Sequence, residues 1–351
     1  MKRLHSAIAC VALVLVVLVA INWHRIRIQA NAQEPSNDTD IDPRAKSSES
    51  SRVRPGTSND REYPTYFVDD VIERLTTSTE KLIEKKLTKN SDELRKEIDR
   101  TSFPVMLSAA LAKVSPPQEL YRRAAESVFL VAGLTKPVEE QTAWQTAFST
   151  AFVVHEDGIL STSAHVFDHD DHDDAVVVMD VSGRVHPVVE ILAADRQADT
   201  CLFRIGTKGL KPLPLGPEAF PGSPIRVMGH PGDSFFFFSA GHIANYEHDE
   251  EGLLWMNVTA DFGQGSSGGP VMDEAGNVVG QVSRTYTLFA GGEASRRRRQ
   301  PRTARQIGNS EPSEDSIEAA SDDRPPTRKH ADPQMVFKAC TPVSAIRALV
   351  K

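Results

Sequence analysis

The sequence predicts an all-β protein whose short antiparallel strands close into barrels, with a helical extension ahead of them. Three observations carry that expectation. From residue 127 to Ile205, short β-type runs (127–131, 151–154, 158–161, 176–179 and 185–192 among them) are separated by turns, as an all-β barrel requires. Further on, a small-residue loop, Gly265-Ser266-Ser267-Gly268-Gly269-Pro270, runs into two apolar pieces, Val271-Met272 and Val278-Val279, separated by the turn 273–277, which reads as a hairpin. Finally, 351 residues with only three cysteines must draw their stability mainly from a buried core. Cys10 lies in an apolar N-terminal run, so at most Cys201 and Cys340 can pair, and nothing in the sequence shows that they meet.

Taken in order, the chain opens with Lys2 and Arg3 and then an unbroken apolar run, 7–21, which fits a signal peptide or a membrane anchor. Ala30-Asn31-Ala32 fits a cleavage site, but His24, Arg25 and Arg27 stand between it and the run. Residues 1–32 are therefore assigned to export, with cleavage and retention both open, and an extracytoplasmic location, periplasmic or secreted, is expected. Residues 33–62 are polar and nearly free of large apolar side chains, the composition of a disordered linker. From 66 to 99, Val68, Val71, Ile72, Leu75, Leu82, Ile83, Leu87, Leu94 and Ile98 recur at helical spacing among charges. A single amphipathic helix packing on its own domain is expected within a helical extension, 63–118. The seven-residue steps Val68–Leu75–Leu82 keep a homo-oligomer in view, although the register slips after Leu82.

Further on, residues 235–238 are four consecutive phenylalanines, read as a strand covered on both faces. Residues 291–334 collapse into charge, with Arg296 to Arg299 followed by acidic residues, and read as a disordered insertion.

A serine flanked by glycines suits an exposed nucleophile, because glycine lets a substrate carbonyl approach backbone N–H donors. The same residues also suit a plain turn. What decides is the company the loop keeps. The loop resembles the nucleophile loop of the trypsin-like serine proteases, and with its hairpin it is most similar to the bacterial HtrA/Deg branch. That resemblance implies Ser267 as nucleophile and the N–H groups of Gly265 and Ser267 as the oxyanion hole. The stretch 158–167 resembles the family's histidine segment, which implies His165 as general base. The stretch 195–205 resembles its aspartate segment, which implies Asp199 as orienter, with Asp195 second. The order His, Asp, Ser, at separations of 34 and 68 residues, is that of the chymotrypsin type. The resemblance implies a fold of two six-stranded antiparallel barrels, about 119–207 and about 208–351, with a last strand near 336–342 and a closing helix over 344–350; it covers about 119–290 and resumes near 336. No PDZ domain of the kind usual in HtrA relatives is expected.

The expected activity is serine endopeptidase cleavage of proteins or peptides, unfolded ones among them, in quality control or processing. The alternative is a catalytically weak chaperone-like or scaffold module that binds unfolded proteins. Asp261 stands six residues before Ser267, where trypsin carries the aspartate at the base of its specificity pocket. A buried carboxylate there would select Arg or Lys. Against this, trypsin's loop is pinned by a disulfide absent here, and the HtrA branch commonly prefers apolar side chains. Ser266 stands where trypsin has an aspartate that pairs with a new N-terminus, so activation of that kind is not expected. The net charge of −8 argues against a general nucleic-acid binder. No cofactor is expected, and no metal either: Asp168 to Asp174, with His169 and His172, has no spacing that dictates a coordination geometry and reads as a solvated loop.

Overall fold

A computed structural model describes residues 63–138, 143–289 and 333–350. The N-terminal apolar run, the linker and nearly all of the 291–334 insertion lie outside the described residues, apart from Pro333 and Gln334, which begin the last strand. Among the described residues no helix is long and apolar enough to cross a membrane.

The strands form two closed antiparallel barrels of six. The first holds β1 (Val128–Thr135), β2 (Gln145–His155), β3 (Ile159–Thr162), β4 (Ala175–Met179), β5 (Val185–Asp195) and β6 (Thr200–Ile205). The second holds β7 (Pro224–Gly229), β8 (Phe237–His248), β9 (Leu254–Val258), β10 (Pro270–Met272), β11 (Val278–Phe289) and β12 (Pro333–Pro342). The spatial orders β1-β2-β3-β6-β5-β4 and β7-β8-β9-β12-β11-β10 are the same winding used twice. Closure pairs every edge strand, so neither barrel leaves a sheet edge open. This is the chymotrypsin-like architecture.

Each barrel has its own apolar interior. Phe129, Leu160, Phe167 and Phe203 fill the first, and Ile225, Met256, Val271 and Val282 the second. A third cluster, with Leu130, Phe152, Met228 and Met272, lies between them and welds the barrels together. Cys201 and Cys340 are both buried and both free, and burial pushes their thiols well above the usual range.

The helical extension departs from the single helix that the spacing predicts. Helix α1 (Val68–Glu84) ends where Lys86 turns left-handed at φ 55°. A short α2 (Ser91–Arg95) follows, started by an Asn90–Glu93 capping box. Val71 and Leu75, four apart, put α1 into the central cluster, while Leu94 and Ile98 enter the interior of barrel one. Residues 100–116 are not helical; they strap the barrels instead. Phe103 N–H donates to the Leu349 carbonyl (2.8 Å), and Ser115 N–H to that of Glu274 (2.9 Å). Helix α3 (Pro117–Ser127) then leads into β1, with Pro117 in its first turn, where its missing N–H costs nothing. Helix α4 (Val343–Ala348) follows β12.

Two further expectations are corrected. Only Phe237 and Phe238 are in β8; Phe235 and Phe236 are buried in the loop before it, and Phe237 is exposed. The 168–174 loop is not simply solvated but is the seat of α2. Arg95 pairs with Asp170 (2.8 Å), His172 with Asp92 (2.8 Å), and the Asp173 N–H donates to the buried Ser91 hydroxyl (2.9 Å).

Candidate active site

Strand β3 is buried along its whole length and delivers Ser163 and a 3-10 turn, Ala164–Val166, to the seam between the barrels. Small residues are needed there because the turn is pressed against barrel two: the buried Ser163 hydroxyl donates to the Val282 carbonyl (3.0 Å). His165 is the turn's polar member, its side chain 29% exposed.

Asp199 sits in the β5–β6 turn in the left-handed region, φ 54°, which Asp tolerates better than most residues. Asp195 shapes that turn, its Oδ1 accepting the N–H groups of Gln197 and Ala198 (both 2.9 Å). This gives Asp195 a structural task and leaves Asp199 facing the histidine. Asp199 Oδ1 accepts the His165 backbone N–H (3.0 Å), and both carboxylate oxygens lie 2.9 Å from His165 Nδ1. A carboxylate at Nδ1 fixes the proton there and leaves Nε2 as the basic nitrogen. Burial pushes the Asp199 carboxyl upward, but the hydrogen bonds from His165 and Ser283 outweigh it and hold the group below the ordinary aspartate range.

The Ser283 contact comes from barrel two: its hydroxyl donates to Asp199 Oδ2 at 2.5 Å. Buried Gln281, two residues earlier on β11, accepts from Ser161 Oγ (2.6 Å) and donates to the Asp199 carbonyl (3.4 Å). Neither residue was singled out from the sequence. The one local signal is a polar residue on either side of Val282, and that cannot say what the side chains meet.

The 265–269 loop is held from barrel one by Thr150, a buried residue of β2. Its backbone N–H donates to the Ser267 carbonyl (2.9 Å) and its hydroxyl to the Gly265 carbonyl (2.8 Å). Gly265 has φ 95°, and a Cβ there would lie 2.3 Å from the His230 carbonyl, so no other residue fits. Among the described residues, neither the Gly265 nor the Ser267 N–H donates to a protein acceptor. The Ser267 hydroxyl donates to the Ser283 carbonyl (3.3 Å), and no described hydrogen bond joins it to the His165 ring. Ser267, Asp199 and His165 thus converge through Ser283, with the hydroxyl turned to that carbonyl.

Asp261 does not form the buried base of a pocket. Its side chain is 82% exposed and pairs with Lys338 of β12 (2.6 Å), whose own side chain is 15% exposed. Among the described residues no group of three or more His, Cys, Asp or Glu could hold a metal ion.

Residues 149–280 match the family model of the trypsin-like peptidase domain. The chain is 28% identical over 151 residues to Protease Do-like 2, chloroplastic, from Arabidopsis thaliana, covering 40% of this chain and 24% of that protein. It is 24% identical over 156 residues to a probable periplasmic serine endoprotease DegP-like from a Marinomonas species, covering 43% and 32%. The solved HtrA-type protease AlgWS227A with decapeptide aligns at TM-score 0.41 and 20% identity, over 52% of this chain and 61% of that one. The chain spans about a quarter to a third of the length of these curated relatives. By this match and its own two barrels, the chain carries a trypsin-like peptidase domain over residues 149–280 and is similar to proteases of the HtrA/DegP type.

Proposed function

We propose that the protein is a serine endopeptidase acting on protein substrates, with Ser267 as nucleophile, His165 as base and Asp199 as orienter. The observation that carries this is the double hold of Asp199 on His165, ring and backbone, beside a serine loop clamped from the opposite barrel. In the reaction, the Ser267 hydroxyl rotates off the Ser283 carbonyl toward His165 Nε2. As Oγ attacks the scissile carbonyl, Nε2 takes its proton, and the imidazolium is stabilised by Asp199. The oxyanion is received by the Gly265 and Ser267 N–H groups, each such donor contributing about 2.7–4 kcal/mol in the transition state. His165 then protonates the leaving amine, and a water deprotonated by the same nitrogen hydrolyses the acyl-serine.

The exposed, already paired carboxylate of Asp261 does not demand a cation, so apolar rather than basic side chains are the preferred partners before the scissile bond. The Lys2–Arg3 start followed by the apolar run at 7–21, together with the periplasmic DegP-like relative, supports an extracytoplasmic role in protein quality control or processing. A second reading, a weak enzyme that mainly holds unfolded chains, draws on the Ser267 hydroxyl facing Ser283 rather than His165.

The test compares the full chain with Ser267→Ala on unfolded casein and on a fluorophosphonate probe. Cleavage and labelling by the wild type alone are expected. Casein bound equally by both proteins, with neither cleavage nor labelling, would replace the enzyme with the holding module.

A further inference from the structure

The β7–β8 loop carries a set of buried groups for which the chemistry above has no use. His230 is fully buried; its backbone N–H donates to Thr150 Oγ1 (3.1 Å), and its Nδ1 accepts the Phe236 N–H (3.1 Å). Phe236 sits at φ 53°, a conformation that a bulky side chain holds only when its surroundings over-determine it. The surroundings here are aromatic. His230 stands edge-on to Phe236 at 4.7 Å, and Tyr66, from the extension just ahead of α1, stacks on the Phe236 ring at 5.3 Å and 21°. Tyr66 also meets Phe235 edge-on at 6.3 Å. Its hydroxyl is buried with no partner among the described residues, so the ring is held by stacking and not by a hydrogen bond.

The same loop touches the nucleophile loop at one backbone hydrogen bond, from the Gly232 N–H to the Gln264 carbonyl (2.8 Å). The Gln264–Gly265 peptide is planar and trans, so its C=O and N–H point in opposite directions. Tying the carbonyl to Gly232 therefore aims the Gly265 N–H away from the β7–β8 loop, and among the described residues that N–H has no acceptor. Turned over, the same peptide would present an oxygen where the reaction needs a donor, and the glycine at 265 allows either state.

We propose that Tyr66 is a positioning residue: by clamping Phe236 it holds the Gly232–Gln264 hydrogen bond and so keeps the Gly265 N–H facing the reacting carbonyl. The extension is thereby part of what sets the oxyanion loop, although it touches neither the loop nor substrate. The kinetic consequence rests on the endopeptidase reading; the coupling between the two loops does not.

The experiment uses the full chain and four proteins: wild type, Tyr66→Ala, Tyr66→Phe and Gly232→Ala. The last adds a Cβ that meets nothing within 4 Å but must adopt φ 56°, so it strains the latch without a clash. Peptide hydrolysis is expected to show kcat falling about ten-fold or more in Tyr66→Ala and Gly232→Ala, with KM within about two-fold, as for partial loss of an oxyanion donor. Tyr66→Phe should match the wild type. In parallel, hydrogen exchange on the same substitutions in a Ser267→Ala background should be several-fold faster in peptides covering 230–238 and 261–269, with β3 and β6 unchanged. Faster exchange confined to 63–84 and 230–238, or an unaltered kcat in a folded Tyr66→Ala, overturns the proposal. If Tyr66→Ala does not fold, Gly232→Ala decides in the same way. A wild type that neither cleaves nor labels removes the protease reading, while the exchange arm still decides the coupling.

Discussion

Replacing Asp199 by Asn should abolish most of the activity without unfolding the protein, and the hydrogen bonds around the carboxylate say why. Oδ1 accepts the His165 backbone N–H, while Oδ2 faces both His165 Nδ1 and the Ser283 hydroxyl. An asparagine has one acceptor oxygen. If that oxygen keeps the backbone N–H, its NH2 group takes the place of Oδ2 and must donate toward Nδ1. The imidazole is then held with its lone pair on Nδ1 and its proton on Nε2, the tautomer that cannot accept from Ser267. The equivalent substitution in the chymotrypsin-type triad lowers kcat about 10⁴-fold. A similar loss here corresponds to roughly 5 kcal/mol of transition-state stabilisation at about 1.4 kcal/mol per decade. The assay is kcat/KM at neutral pH, together with the fluorophosphonate labelling rate and a thermal melt to confirm the fold. Activity within about ten-fold of wild type, in a protein that melts normally, would show that Asp199 does not set the tautomer.

Ser283→Ala removes one hydrogen bond to a charged group, a contact worth about 1.5–3 kcal/mol, and should lower kcat roughly ten-fold while leaving KM nearly unchanged; equal loss in a Ser283→Thr protein would argue that packing, not the hydroxyl, matters. Burial pulls the His230 imidazole down to about 3. Its folded state therefore binds fewer protons than the unfolded chain below the ordinary value of about 6.5, and stability should fall as pH drops from there toward 3, by up to about 1.4 kcal/mol per pH unit. Urea midpoints at pH 7.5 and 5 should differ less in His230→Gln than in wild type, and an equal slope in both would assign the acid sensitivity elsewhere. Leu75→Ala, in the face of α1 that enters the central cluster, should cost about 3–5 kcal/mol, read as a lowered urea midpoint. A cost below about 1 kcal/mol would mean that the extension is only loosely seated. Asp261→Ala should leave cleavage after apolar residues intact and change stability by less than about 1 kcal/mol, as for an exposed ion pair; activity lost only on Arg and Lys substrates would restore Asp261 to the specificity pocket.

Much of this molecule was legible in one dimension. Short apolar runs bounded by turns mark the strands, because a strand covered on both faces carries apolar residues nearly continuously. The glycines and serines of 265–269 announce an unusual backbone for the same local reason. His165, Asp199 and Ser267 could be named because each lies in a short stretch with its own pattern. The helix beyond α1 could not be drawn correctly: apolar spacing continues past Glu84, but the break at Lys86 comes from the docking of Leu94 and Ile98 into barrel one, which spacing does not encode. The partner of Asp261 was hidden for a related reason, since its distance from Ser267 along the chain says nothing of Lys338, 77 residues away in sequence and 2.6 Å away in space.

The sequence alone thus determined the all-β class, the order of the candidate triad and the loop that presents its serine, because local periodicity and glycine chemistry act over a few residues. Only the tertiary structure decided which polar groups complete the site. Ser283, Gln281 and Thr150 lie on strands of different barrels and acquire their partners when the seam closes. Tyr66 reaches the Phe236 ring only because α1 is anchored beneath it by Val71 and Leu75. Hydrogen bonds and ring contacts between segments 80 to 200 residues apart leave no periodic trace in the chain, so they become visible only once the barrels are closed.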